Sequence, residues 1–368
     1  MQAQFHNLQA LRGVACLLVV AYHLSQLEAG YGLGFNPLKA FRWFGFAGVD
    51  LFFVLSGFII TTTSRPDLGR LSRLPRYLFR RAWRIYPTFW AALSVSVAAS
   101  VVLSHESLVR PGWVAEVFET VLLIPPSAPQ RLLPVAWTLS YELMFYAVFA
   151  ALFVLPRWAA IPALLGWAAL VLRAYITSTY PGNRFAAIPL SPFVLEFLFG
   201  ALVAWCPARL SGRWAGVLAL AGMIWSAAWL TVRSDPHPDR LAVEHFSRAV
   251  VFGVPAALFV FAMTGWERTG GRLRPRWLES VGDASYSVYL LHLSCMLAAM
   301  LLTVELHWSH RKFAHAGWVV FMFAGTILPG MLFHRFIERP LLDLVKTRRA
   351  PVPPAETVIP PVPARKAA

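Results

Sequence analysis

The sequence predicts an all-α, polytopic integral membrane protein with about ten transmembrane helices. Of its 368 residues 58% are hydrophobic and only 14% are charged, and the mean hydropathy is +0.57. Soluble domains carry far more charge. Apolar stretches close to the roughly 20 residues that cross a bilayer recur along the chain. The three cysteines all lie in apolar stretches and are too few and too scattered for a disulfide framework or a cysteine metal cluster.

Ten stretches meet the length rule for a membrane span. They are residues 8–27, 46–64, 85–104, 137–156, 158–179, 189–206, 214–232, 246–264, 284–304 and 316–337. Residues 113–124 are apolar but shorter and contain Glu116 and Glu119, which favours an interfacial helix. We therefore predict a transmembrane domain over residues 1–345. The proline-rich residues 346–368 are predicted to form a disordered cytoplasmic tail.

The basic residues are distributed unevenly between the two sides of the predicted bundle. Of the 33 Lys and Arg residues, 22 lie in the two termini and the even-numbered loops with their helix ends. Cytoplasmic loops carry the excess of Lys and Arg, so both termini are predicted to be cytoplasmic in a bacterial-type inner (plasma) membrane. The net charge of +15 is then mostly a matter of topology. The net positive charge therefore no longer supports a nucleic-acid partner.

The first span contains two ionisable residues, Arg12 and His23, whose burial in hydrocarbon costs free energy. Eleven residues of α-helix advance about 16 Å and end about 20° past three full turns, so both side chains lie on one face. Ionisable residues in hydrocarbon pair, line a wet cavity or do chemistry. The predicted orientation places Arg12 near the cytoplasm and His23 in the outer half of the membrane.

Three further ionisable residues are predicted to lie within the membrane. Asp50 and Glu142 lie near the outer ends of the second and fourth spans, at the depth of His23, and His292 lies nearer the midplane. Each is a candidate for chemistry because burial of such groups is costly. The alternative for each is a structural hydrogen bond between helices.

Arginines also cluster just before the predicted third span. Arg80, Arg81 and Arg84 precede Tyr86 there. Guanidinium groups at a helix N-terminus suit a phosphate, so a phosphorylated cytoplasmic cosubstrate would fit. The alternative is that these arginines only anchor the topology.

The motifs together resemble the acyltransferase family 3 membrane proteins. The similarity covers Arg12 with His23, residues 48–58 (GVDLFFVLSGF), residues 80–87 (RRAWRIYP) and residues 137–146 (WTLSYELMFY). Residues 285–292 and 338–340 are also similar to the family. The resemblance implies a ten-helix domain that moves an acyl group, commonly acetyl from acetyl-CoA, to a hydroxyl of an acceptor outside the cytoplasm.

The family resemblance and the predicted depths of the residues in the membrane together predict roles for the candidate residues. The nucleotide end of acyl-CoA would bind Arg80, Arg81 and Arg84 near Tyr86, with its arm passing Arg12. His23 would be the general base for a carbohydrate or glycan hydroxyl. Glu142 or Asp50 would orient the imidazole. The unranked candidates for oxyanion stabilisation or support are Ser56, Ser140, Tyr146 and His292.

Several alternatives stay open at the level of sequence. Direct transfer and an acyl intermediate on His23 need the same residues. The absence of HExxH, CxxC, Walker and GxGxxG patterns predicts no metal and no tightly bound cofactor, so acyl-CoA would be a cosubstrate. A transporter or flippase is the rival function, because buried acids and histidines also suit proton-coupled transport. The oligomeric state is not predicted.

Overall fold

The computed structural model describes residues 5–31, 37–104, 111–125, 132–232, 245–305 and 315–346. Within these ranges the regular structure is entirely helical. The helices are α1 (His6–Tyr31), α2 (Ala47–Ser64), α3 (Leu74–Ser104), α4 (Trp113–Leu122), α5 (Trp137–Ala151), α6 (Ala160–Ile176), α7 (Arg184–Ala187), α8 (Phe193–Trp205), α9 (Gly212–Val232), α10 (Val254–Glu267), α11 (Trp277–Asp283), α12 (Ser285–Glu305), α13 (His315–Phe333) and α14 (Arg339–Lys346). The turn His245–Arg248 and the π-helical turn Ala249–Gly253 lead directly into α10.

The all-α membrane fold is confirmed. In the described part of the chain, eight helices are long and apolar enough to cross a membrane, or nine if the bent pair Arg184–Leu190 and Phe193–Trp205 is one span. The predicted span 137–156 corresponds to α5, which has only 15 residues. Since a span needs about 20 residues, α5 alone is too short to cross. The predicted tail lies outside the described residues, apart from Lys346 at the end of α14.

The short apolar segment between α3 and α5 forms the amphipathic helix α4. Its exposed apolar side chains Val114, Phe118 and Leu122 are spaced by four residues and form one stripe. On the other side of α4, Glu119 is buried and forms an ion pair with Arg184 at 2.6 Å. An exposed apolar stripe opposite a polar face is the pattern of a helix that lies in a membrane interface.

Close helix crossings hold the centre of the bundle together. The α2–α8 crossing places Gly57 against the backbone of Phe197, where an added Cβ would lie 2.0 Å from the carbonyl oxygen. Gly200 faces Val54 in the same way, at 1.9 Å. Small residues permit such close backbone approach between membrane helices. The glycine of the LSGF segment is therefore required by packing.

Replacing Gly200 with alanine is expected to destabilise the protein by about 1–3 kcal/mol, because the backbones of α2 and α8 must separate to admit a methyl group. The measurement is the thermal midpoint of the detergent-solubilised protein. Gly166→Ala is the control, since a Cβ at Gly166 on α6 would meet nothing within 4 Å. Equal midpoints for the two variants would contradict the crossing.

The arginine-rich segment before α3 marks one end of the bundle. Gly69, in the arginine-rich segment before α3, donates a hydrogen bond from its backbone N–H to the carbonyl of Leu152, just after α5, at 3.4 Å. We call this the basic end, defined by Arg81 and Arg84 of α3. Because α6 begins beside Gly69 and runs away from it, its last residues lie at the opposite end.

Candidate active site

A cavity opens among α1, α2, α3, α5 and α12 near the basic end. Its volume is about 100 Å³. Six of the residues singled out from sequence line it: Arg12, Ser56, Arg81, Arg84, Glu142 and Tyr146. We call it the arginine cavity. Three guanidinium groups and one carboxylate line its wall, so the charge of the lining favours an anionic ligand.

The α5 helix supplies the acidic side of this cavity. Thr138, Glu142 and Tyr146 are spaced by four residues and form one stripe about 12 Å long on that helix. The Glu142 carboxylate accepts a hydrogen bond from the Tyr146 hydroxyl, and Ser56 Oγ lies 3.4 Å from Glu142 Oε1. Glu142 therefore belongs to the lining of the arginine cavity. The sequence predicts Glu142 beside His23 instead, because the depth of a residue in the membrane gives no lateral position.

The arginines lie inside α3 and not at its start. The helix begins at Leu74, so the expectation that these arginines sit at a helix N-terminus is corrected. Arg81 donates to Thr63 Oγ1 at 2.7 Å, and its guanidinium lies over the Tyr146 ring, 5.2 Å from the centroid. Arg84 also lines the cavity, whereas the exposed Arg80 is not part of its lining.

Among the described residues, one hydroxyl in the cavity wall is buried without a hydrogen-bond partner. Ser285, at the start of α12, is fully buried, and within the described residues its Oγ has no hydrogen-bond partner. Buried polar groups are normally paired, so an orphaned hydroxyl in a cavity wall is available to a ligand. The next residue, Tyr286, also lines the cavity and donates its own hydroxyl hydrogen to the Ile85 carbonyl at 3.1 Å.

A pair of histidines lies beyond the cavity. His23 Nδ1 and His292 Nε2 are 3.3 Å apart, and the two ring centroids are 4.9 Å apart. His292 is fully buried. Arg12 shares the arginine cavity with Ser285 of α12, and His23 contacts His292 of the same helix. Both polar residues of α1 therefore face α12, as their spacing on a helix requires.

Backbone carbonyls define the protonation pattern of this histidine pair. His23 Nδ1 lies 3.0 Å from the Val19 oxygen, and His292 Nδ1 lies 2.6 Å from the Tyr289 oxygen. A carbonyl oxygen only accepts, so each neutral ring carries its proton on Nδ1. His292 Nε2 is then unprotonated and accepts from the same His23 N–H. This assignment leaves Nε2 of His23 with its lone pair free, which is the tautomer a general base requires.

Tyr289 connects the histidine pair to the arginine cavity. Its ring lines the cavity and packs against His292 with centroids 5.6 Å apart. Its hydroxyl lies 2.9 Å from Thr138 Oγ1 and 3.2 Å from the Val135 oxygen, which ties α12 to the beginning of α5. One continuous packed layer thus runs from the cavity wall to His23.

The structure places Asp50 in a different environment from the predicted one. Its carboxylate accepts two hydrogen bonds from Arg248, at 2.6 Å from Nη2 and 3.2 Å from Nε, and both residues are buried. The buried Glu196 of α8 lies in the same group. Asp50 therefore pairs with Arg248, and the ionisable side chain in contact with His23 is His292. Asp50 is therefore not the acid beside His23 that the sequence predicts.

Two other candidates make contacts that hold helices together. The Tyr86 hydroxyl donates to the Leu122 carbonyl at 3.1 Å, and Ser140 Oγ donates to the Leu123 carbonyl at 2.9 Å. Both bonds attach the C-terminal end of α4 to its neighbours. Tyr86 and Ser140 are not part of the arginine-cavity lining.

Sequence comparison identifies the protein family to which the chain belongs. The family model of the acyltransferase 3 group, described as an acyltransferase domain, matches residues 5–335. The chain belongs to acyltransferase family 3. The match spans α1 to α13, so the arginine cavity and the histidine pair both lie within the family domain.

Relatives from three bacteria show what family members do elsewhere. The exopolysaccharide production protein ExoZ of Rhizobium meliloti is 29% identical over 316 residues, covering 83% of this chain and 92% of ExoZ. The acyltransferase MdmB of Streptomyces mycarofaciens is 28% identical, covering 93% of each chain. The peptidoglycan O-acetyltransferase OatA of Listeria monocytogenes is 30% identical over 43% of this chain and 26% of OatA. No solved structure matches.

Proposed function

We propose that this family member is an O-acyltransferase that moves an acyl group, most simply acetyl, from cytoplasmic acyl-CoA to a hydroxyl of an extracytoplasmic carbohydrate. The observation that carries the proposal is the arginine cavity, because three arginines converge there with Glu142 and with the hydroxyl of Ser285, which has no partner among the described residues. The names of the relatives ExoZ and OatA support a polymeric carbohydrate as the acceptor class.

The donor end of the reaction is assigned to the basic end of the bundle. Coenzyme A carries phosphates, and guanidinium groups bind phosphate through paired hydrogen bonds. Arg81 and Arg84 would contact these phosphates, and Arg12 would contact the arm that carries the thioester. The positive-inside rule supports a cytoplasmic basic end, and we assign the protein to the inner membrane with both termini in the cytoplasm.

His23 is assigned as the general base. Its free Nε2 would take the proton of the acceptor hydroxyl as the oxygen attacks the thioester carbonyl. The carbon–sulfur bond then breaks, and the departing thiolate of coenzyme A takes that proton from the imidazolium. His292 would act as a positioning residue, because its Nε2 accepts from Nδ1 of His23. Atoms and charges balance without a metal or a further cosubstrate.

The experiment that tests the proposal uses the purified protein in lipid nanodiscs with ¹⁴C-acetyl-CoA. The acceptors are oligosaccharides prepared from the surface polysaccharide of a strain that lacks the gene. Transfer of label to the oligosaccharides, with one coenzyme A released per acetyl ester, supports the proposal. Absence of transfer together with accumulation of solute in proteoliposomes would favour a transporter.

Neutralising the cavity arginines is expected to weaken donor binding selectively. Arg81→Gln and Arg84→Gln should each raise the KM for acetyl-CoA by about tenfold, since a charged hydrogen bond contributes about 1.5–3 kcal/mol when it is made. The KM for the acceptor should change by less than about twofold. Arg76→Gln on the same helix is the control, because Arg76 is exposed and is not part of the cavity lining. An effect confined to the acceptor KM would contradict the assignment.

A further inference from the structure

We propose that a second cavity, on the other face of α5, binds the sugar rings of the acceptor. Its aromatic lining comes from α5, from α6, from the segment before α7 and from the turn His245–Arg248 that precedes α10. We call it the aromatic cavity. Its aromatic lining residues are Trp137, Tyr141, Tyr175, Tyr180 and Phe246. The inference rests on the proposed function, because it assigns the acceptor side of the same reaction.

The position of α5 supports this assignment. Trp137, Ser140 and Tyr141 line the aromatic cavity, whereas Thr138 and Glu142 of the same helix line the arginine cavity. One short helix thus separates two cavities with different linings. Tyr175 lies near the end of α6, which is at the opposite end of the bundle from the arginines. His23 does not line the aromatic cavity, so a glycan chain bound there would extend beyond it to bring its acceptor hydroxyl to His23.

The size of the aromatic cavity suits a sugar unit of a glycan. Its volume is about 620 Å³, against about 100 Å³ for the arginine cavity. Small-molecule sites usually measure about 300–1,000 Å³. The aromatic cavity therefore has room for more than one sugar ring.

The chemistry of the lining also matches a carbohydrate. A pyranose presents C–H groups on its faces and hydroxyl groups around its edge, so it binds to aromatic rings bordered by polar groups. Tyr175 is 41% exposed and Tyr180 is 43% exposed, so both rings offer surface to a ligand. Arg184 and the Ser247 hydroxyl line the same cavity.

Contacts behind the lining hold the aromatic rings in place. Tyr175 stacks on Phe246 with centroids 3.9 Å apart and planes 12° apart, and Trp137 packs on Phe193 at 5.6 Å. Arg184, at the polar edge of the cavity, is held by an ion pair with Glu119 at 2.6 Å. A binding surface ordered in advance pays little conformational entropy when a ligand arrives.

The test measures equilibrium binding of a labelled acceptor mixture to the full-length protein in nanodiscs. The probe is the oligosaccharide mixture from a strain lacking the gene, reduced with tritiated borohydride. The variants are Tyr175→Ala and Tyr180→Ala. Trp158→Ala is the matched control, since Trp158 is an aromatic residue that is 78% exposed at the basic end of α6. Arg84→Gln is the donor-side control.

The expected result is a loss of affinity of about tenfold in each tyrosine variant, which is the size of one lost aromatic stacking contact. Trp158→Ala and Arg84→Gln should bind within about twofold of the parent protein. Tyr180→Ala is decisive if Tyr175→Ala fails to fold, because Tyr180 lies in the segment that precedes α7.

Three outcomes would overturn the inference. They are unchanged binding in both tyrosine variants, an equal loss in Trp158→Ala, and no binding by the parent protein. If the parent binds the oligosaccharides and the tyrosine variants lose binding while no acetyl group is transferred from ¹⁴C-acetyl-CoA, the acceptor site stands and the proposed reaction fails.

Discussion

Replacing His23 with alanine is expected to lower the turnover number by about 10²–10⁴-fold, the range contributed by a general base. The physical reason is that Nδ1 of His23 is held by the Val19 carbonyl and by Nε2 of His292, which leaves Nε2 of His23 as the free base. The measurement is release of coenzyme A at saturating acceptor, normalised to folded protein determined by size-exclusion chromatography.

His292→Gln separates the base from the residue that positions it. Glutamine can still offer an acceptor to Nδ1 of His23, so this variant should retain more activity than His292→Ala. Rescue by the conservative variant is the readout that a purely structural role would not give. Normal turnover in His23→Ala would remove the imidazole from the mechanism, and equal losses in the two His292 variants would remove its positioning role.

The membrane fold followed from sequence because its physical rules are local. Length and hydropathy identify spans regardless of their neighbours, so the predicted boundaries agree closely with α1, α2 and α12. The predicted start of the third span, at residue 85, is wrong, because α3 begins eleven residues earlier. Its first turns hold several arginines, and an apolar-length rule reads such a basic segment as a loop, although the helix begins at Leu74.

The lateral arrangement of the site could not be derived from one sequence. Depth placed Asp50, Glu142 and His23 at one level, but only the packing of helices decides which side chains meet. The structure puts Glu142 in the arginine cavity and His292 against His23. Residues lining one cavity here come from helices separated by more than a hundred positions in the chain, such as Arg84 of α3 and Tyr286 of α12.

Arg248 is the residue that sequence reasoning missed. A signal was present, because an arginine at the start of an apolar span needs a buried carboxylate and both Asp50 and Glu196 lie within spans. Its place at the start of the predicted span 246–264 makes it count as a loop charge in the sequence. In the structure it is 4% exposed and lies between the rings of Phe46 and Phe193, 4.9 Å from each centroid.

Replacing Arg248 with methionine is expected to destabilise the protein by about 3–5 kcal/mol, because the Asp50 carboxylate would stay buried without its partner. The free energy of unfolding is measured at equilibrium in mixed micelles, and the thermal midpoint of each variant is measured separately. Asp50→Asn combined with Arg248→Met should recover a large part of that loss, since both charges of the pair are then absent.

The same variants decide whether Asp50 acts through packing or through chemistry. A structural role predicts that Asp50→Asn lowers the thermal midpoint, because Arg248 then loses its charged acceptor in the buried group. A role in orienting His23 predicts instead an unchanged midpoint and a turnover number reduced by at least about tenfold. Since the Asp50 carboxylate faces Arg248 and the neighbour of His23 is His292, the first result is the expected one.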